Sequence, residues 1–178
     1  MFGIDINVLL GNACSLGAMG TDTIASSRKS AKAMLLIQCL SQLLLGIGTL
    51  LLKGYSAVVQ NGVSILRNLR AASNKGGKWL EWVFLALAVS FGLYFNNLGL
   101  IGLLPVIANV EYSLTIYFFG DDEIKLKIAY LICNLLFATF NGVILNFIGA
   151  ASNVFVAIAT GIFLFREWKQ KKQNKSMP

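Results

Sequence analysis

The chain has 178 residues, of which 56% are hydrophobic and only 13% charged, and its mean hydropathy is +0.69. A soluble domain carries about 25% charged residues, so a globular core under a charged surface is excluded and a bilayer is the solvent that fits. The net charge of +7 does not point to nucleic acid, because the Lys and Arg residues fall in short clusters between apolar runs.

Seven membrane-spanning helices are expected, at residues 4–21, 30–52, 55–71, 79–96, 98–119, 125–146 and 148–166. Each is near the roughly 20 residues that cover a hydrocarbon core about 30 Å thick. The start, Met1-Phe2-Gly3-Ile4-Asp5, lacks the positive region of a cleavable signal, so the first span reads as a retained helix. Asn12 and Ser15 share one of its faces, and Gly17 and Gly20 favour close helix packing. In the second span Gln38 and Gln42 lie four residues apart, ahead of the small pair Gly46 and Gly48. Lys53-Gly54 then makes a tight, antiparallel link to the third span. That span holds Gln60 and Asn61 and ends in Arg67 and Arg70, which are expected to snorkel to lipid headgroups.

Trp79 and Trp82 open the fourth span, and with Trp168 they form an expected interfacial belt. Asn96-Asn97 links it tightly to the fifth span, which carries Pro105, Asn109, Glu111 and Ser113. The acidic run Asp121-Asp122-Glu123 is expected to cap the sixth span. Asn134 and Asn141 share a face of that span, Asn153 lies in the seventh, and a Lys-rich tail follows. Cys14, Cys39 and Cys133 sit in apolar stretches with no zinc spacing, there is no histidine, and no metal or cofactor is expected.

With the odd spans running inward, 14 of the 15 basic residues fall on the cytosolic side and only Lys53 outside. The positive-inside rule therefore selects an N-terminus outside and a C-terminus inside. The expected fold is all-α: two three-helix bundles in parallel repeat joined by one linker helix. The divisions are residues 1–78, a linker at 79–97, a second repeat at 98–168 and a basic tail at 169–178. Gln42–Asn61 laid over Asn134–Asn153 gives identity at Leu43/Leu135, Leu44/Leu136 and Asn61/Asn153, so topology carries the repeat more than residue identity does.

This order of spans, with an Asn in the third and the seventh, resembles the SWEET/PQ-loop superfamily of small transporters. It is more closely similar to the YgjV family of bacterial inner-membrane proteins. The matching features are a Gly-rich first span, the basic SSRKSAK at 26–32, KGYSA at 53–57 and QNGVSILRNLR at 60–70. The resemblance implies an inner-membrane helical bundle with a central cavity, and an Asn61/Asn153 pair facing across it. The PQ dipeptide is absent; Pro105 is the proline within a span and its counterpart lies near Gly11, so no proline hinge is implied for the first half.

The expected solute-binding residues are Asn61, Asn153, Gln42, Asn134, Gln38 and Asn109, amides with donors and acceptors for a small polar solute. Helix-to-helix hydrogen bonding is the competing role for the same amides. Glu111, an ionisable group at membrane depth, is the candidate for proton coupling, against a structural hydrogen bond to a neighbouring helix. The expected function is a small-solute transporter or facilitator, with a membrane-embedded ligand-binding or sensing protein as the alternative. No HExxH, aspartyl pair or phosphate loop suggests an enzyme. The expected partners are the lipid bilayer and a polar solute, with self-association left open.

Overall fold

The computed structural model describes residues 5–26, 31–73, 79–119 and 122–175. They form seven helices and no strands: α1 (Ile6–Ser26), α2 (Ala31–Leu51), α3 (Tyr55–Ser73), α4 (Trp79–Tyr94), α5 (Gly99–Phe119), α6 (Glu123–Val143) and α7 (Phe147–Lys175). Ile4, Arg28, Lys29, Lys75, Lys78 and Asp121, all used in the sequence expectations, lie outside the described residues.

Three boundaries differ from expectation. Helix α1 runs on to Ser26 and α7 to Lys175, since hydrogen bonding continues past the apolar band into polar sequence. Helix α6 stops at Val143 because Leu145 turns left-handed, with φ of 62°. Among the described residues two helices, Gly99–Phe119 and Phe147–Gln170, are long and apolar enough by themselves to cross a membrane; shorter apolar helical stretches cover 35–51, 79–94 and 127–143.

Burial is inverted relative to a soluble protein. Among the described residues the buried polar side chains include Ser41, Gln60, Asn61, Asn109, Asn134 and Asn146, while the buried apolar residues are mostly alanines, six of them. Large apolar side chains point outward instead. On α2, Leu36, Leu40, Leu43, Ile47 and Leu50 form an exposed stripe at alternating four- and three-residue steps, the spacing of one helix face. Ser41 and Thr49 on the same helix are buried. An apolar exterior around a polar interior is stable in lipid and unfavourable in water.

The close helix pairs among the described residues are α1–α2, α2–α3, α3–α5, α5–α6, α6–α7 and α7–α1, with α4 packed on α3 and α5. Six helices thus close a ring, and α4 lies outside it across the α3/α5 seam. Close approach is possible where side chains are absent. A Cβ on Gly48 would meet the Gly11 carbonyl oxygen at 2.9 Å, and one on Gly92 would meet Gln60 Nε2 at 2.6 Å and Val106 Cγ2 at 2.7 Å.

The α2–α3 and α6–α7 turns are built alike. Each helix ends with a left-handed residue, Lys53 (φ 58°) or Leu145 (φ 62°). Around Lys53, Gly54 N–H donates to Thr49 O at 2.8 Å and Lys53 N–H to Leu50 O at 3.0 Å; around Leu145, Asn146 N–H donates to Asn141 O at 2.9 Å and Leu145 N–H to Gly142 O at 3.3 Å. Both are the paired hydrogen bonds of a Schellman motif, and the corresponding residues are 92 positions apart throughout.

Side-chain amides tie the same end together. Asn97 Nδ2 donates to Lys53 O at 2.9 Å. Asn12 Nδ2 donates to Leu145 O at 2.9 Å, and its Oδ1 accepts from Ile148 N–H at 2.9 Å. Asn146 Oδ1 caps α7 by accepting from Gly149 N–H at 3.1 Å. At the opposite end Asp122 caps α6, its Oδ1 accepting from Lys125 N–H at 3.1 Å. That backbone hydrogen bond, with the Lys125 ammonium beside it, holds the Asp122 carboxyl below its ordinary value.

Candidate functional site

Inside the ring lies a cavity of about 210 Å³. Its wall repeats: Gln42 and Asn134, Leu45 and Phe137, Thr49 and Asn141, Ala57 and Gly149, Gln60 and Ser152, and Asn61 and Asn153 all line it. Each pair is separated by 92 residues, the spacing of the two matched turns. Towards those turns the cavity abuts an apolar cluster of Ala57, Phe140 and Ile144, flanked by Leu52, Leu98, Ile101 and Leu104. Towards the other end its wall becomes charged and phenolic, with Asp22, Arg67, Tyr112 and Tyr130. Asp22 is exposed, so the cavity meets the surface at that end.

Five of the six expected solute-binding amides line this space: Asn61, Asn153, Gln42, Asn134 and Asn109. They divide by what already occupies them. Asn109 Nδ2 donates to Gln60 Oε1 at 2.6 Å, and Gln60 Nε2 in turn donates to Ala88 O of α4 at 2.9 Å. Asn134 Nδ2 donates to Tyr130 O of its own helix at 2.8 Å. Asn61, Asn153 and Gln42 make no side-chain hydrogen bond among the described residues and face the cavity with both ends of their amides available.

Gln38 is not among the lining residues. The α2 wall begins at Gln42, and four residues of helix rotate Gln38 about 40° off that line.

Glu111 is also outside the wall. The α5 residues that line it are Asn109 and Tyr112, and at about 100° per residue Glu111 points well away from both. Among the described residues its carboxylate has no hydrogen-bond partner on another helix, and Thr115 of its own helix donates its hydroxyl to the Glu111 main-chain oxygen at 2.9 Å. Its Oε2 is buried with no partner among the described residues.

Arg67 departs from expectation in the other direction. It does not snorkel outward. It lines the cavity, and its Nη1 donates to Asn109 Oδ1 and to Ser113 Oγ, each at 3.3 Å. Arg70, expected to snorkel beside it, instead pairs with Glu81 of α4. Arg67 is the main residue that sequence reasoning missed; the available signal was its spacing of three residues from Ser64 and seven from Gln60, which puts it on their face. Tyr112 and Tyr130, their ring centroids 5.9 Å apart, complete that end of the wall.

Trp79, Trp82 and Trp168 are exposed, as interfacial anchors must be. Trp82 packs edge-on against Tyr117 with ring centroids 5.0 Å apart, which fastens α4 to α5.

An all-helical chain with an apolar exterior and an amide-lined interior is a polytopic membrane protein in type. More specifically, residues 9–171 match the Imp-YgjV family, described as bacterial inner membrane protein, and the chain belongs to that family. Neither the curated proteins nor the solved structures contain a significant match.

Proposed function

We propose that this protein is a small-solute transporter or facilitator of the bacterial inner membrane, with its binding site in the central cavity. The observation that carries the reading is the doubled wall, in which Asn61 and Asn153 enter one cavity from positions 92 residues apart with their amides unengaged. Paired amides in a cavity are worth little as structural glue when they bond to no other helix. They can instead exchange hydrogen bonds with a polar solute.

In this reading α1–α3 and α5–α7 are parallel repeats, α4 is the linker that restores their orientation, and all seven helices cross the membrane. The matched turns and the ring order support this arrangement. With the N-terminus outside, the three tight turns face the periplasm and the apolar cluster beneath them is the outer gate. The Asp22/Arg67 end then opens to the cytosol. An inner vestibule under a closed outer plug is what alternating access needs in one of its two states.

Solute counterflow into proteoliposomes tests the reading, with Asn61→Ala and Asn153→Ala expected to reduce flux while leaving the fold intact. A ligand that binds tightly and never crosses would favour a membrane receptor instead. Single cysteines at Lys53, Asn97 and Leu145, in a background without Cys14, Cys39 and Cys133, should all be labelled from the periplasm. Labelling of position 97 from the cytosol alone would refute the topology.

A further inference from the structure

The charges on the cavity wall narrow the solute. Among the lining residues Arg67 is the one cation and Asp22 the one carboxylate. They are not an ion pair, although both face the same space. Arg67 bonds only to neutral groups, through Nη1, while Nε and Nη2 make no hydrogen bond among the described residues. Glu81 of α4 acts on it electrostatically but is ion-paired with Arg70. Glu111 is turned off the wall. Asp22 has the neutral Ser41 hydroxyl as its side-chain neighbour, and that hydroxyl also lies 3.3 Å from Ala18 O.

We infer that the cavity takes a zwitterionic solute of the α-amino-acid class, its carboxylate on the open side of Arg67 and its ammonium towards Asp22. The inference rests on the proposed transport site and specifies its ligand. A neutral solute would displace cavity water from the half-buried guanidinium and leave it hydrogen-bonded only to Asn109 and Ser113, which is costly. A simple anion would be repelled by Asp22, and a simple cation by Arg67. A dipolar solute satisfies both charges at once, and the guanidinium fork suits a carboxylate. The cavity, at about 210 Å³, is smaller than the roughly 300–1,000 Å³ of drug-sized pockets, which fits a solute of this size. Deeper in the cavity, towards the turns, Asn61, Asn153 and Gln42 are placed to meet the remaining polar atoms.

The test measures thermal stabilisation and counterflow by the purified protein with three probe sets. These are the twenty protein amino acids, the same compounds as C-terminal amides or N-acetyl derivatives, and a panel of neutral polyols and dicarboxylates. At least one free amino acid should stabilise the wild-type protein and exchange across the membrane. Its amide and its N-acetyl form should each bind roughly 10- to 100-fold more weakly, the loss expected for one charge-assisted hydrogen bond. Arg67→Gln should remove the discrimination against the amide, and Asp22→Asn the discrimination against the N-acetyl form. Equal binding of the free and blocked forms overturns the inference. So does binding of a polyol or dicarboxylate with no amino acid bound, and in that case the transport reading stands. If no probe in any set binds or exchanges, both fall.

Discussion

The α1/α7 seam offers the most direct test of the ring. Replacing Asn12 by Ala removes the bond from Nδ2 to Leu145 O and the bond accepted from Ile148 N–H, both 2.9 Å long. Asn12 is only 9% exposed, so water does not readily replace them. Interhelical polar contacts in membranes average about 0.6 kcal/mol and reach about 1.7, so two of them amount to roughly 1–3 kcal/mol. For a chain of this size 1 kcal/mol moves Tm by about 2–4 °C, which sets an expected fall of roughly 2–12 °C in a detergent or nanodisc melt. Asn12→Asp, which keeps the acceptor for Ile148, should lie between Asn12→Ala and wild type. Asn97→Ala provides the control, because it breaks one exposed bond to Lys53 O and should cost under about 1 kcal/mol. If Asn12→Ala melts within about 1 °C of wild type, the ring is not closed through this residue and the seam has been misread.

Gly92→Ala should lower the melting temperature by overpacking at about 1–3 kcal/mol, since its methyl would collide with Gln60 and Val106; the double variant with Gln60→Ala should recover part of the loss. Glu111→Gln should keep both flux and its pH response and should hold or raise thermal stability, because it removes a buried carboxylate oxygen that lacks a partner; a collapse of flux would restore Glu111 to the transport path. Asp122→Ala should destabilise the protein at neutral pH in a thermal melt. The folded carboxyl is held below its unfolded value, so this contribution is present above the unfolded value and disappears as pH falls through the folded one. A variant penalty that persisted at pH below the folded value would contradict the capping role.

Much of this architecture was legible in the residues. Apolar runs of near-membrane length located all seven helices, and amides at membrane depth pointed to Asn61, Asn153 and Gln42, because such groups need an interior to face. The misses share one physical source: sequence distance gives depth along a helix more readily than direction around it. Glu111 lies at the right depth, but one residue of helix rotation from Tyr112 takes it off the wall. Arg67 lies near a helix end, where snorkelling is cheap, yet its face is that of Gln60 and Ser64. The duplicated turn was hidden for a different reason. A Schellman end usually announces itself with glycine at the left-handed position, and here Lys53 and Leu145 occupy it. Hydrogen-bond register therefore preserves the repeat better than side-chain identity does. Ring order was the least legible feature, because which helix closes on α1 depends on contacts between residues more than a hundred positions apart.

The position of α4 has a mechanical consequence. A ring made of two like halves should have two like joints, but α4 straddles one of them. At α3/α5 the joint is splinted by α4, through the Gln60 bond to Ala88 O, the Arg70–Glu81 pair and the Trp82–Tyr117 contact. At α7/α1 no such splint exists among the described residues, and Asn12 is the side chain that hydrogen-bonds across. The assembly is accordingly hinged on one side and latched on the other. Movement between the halves should swing about the α3/α5 edge and open first along α1/α7, so α4 also decides which wall of the cavity can part.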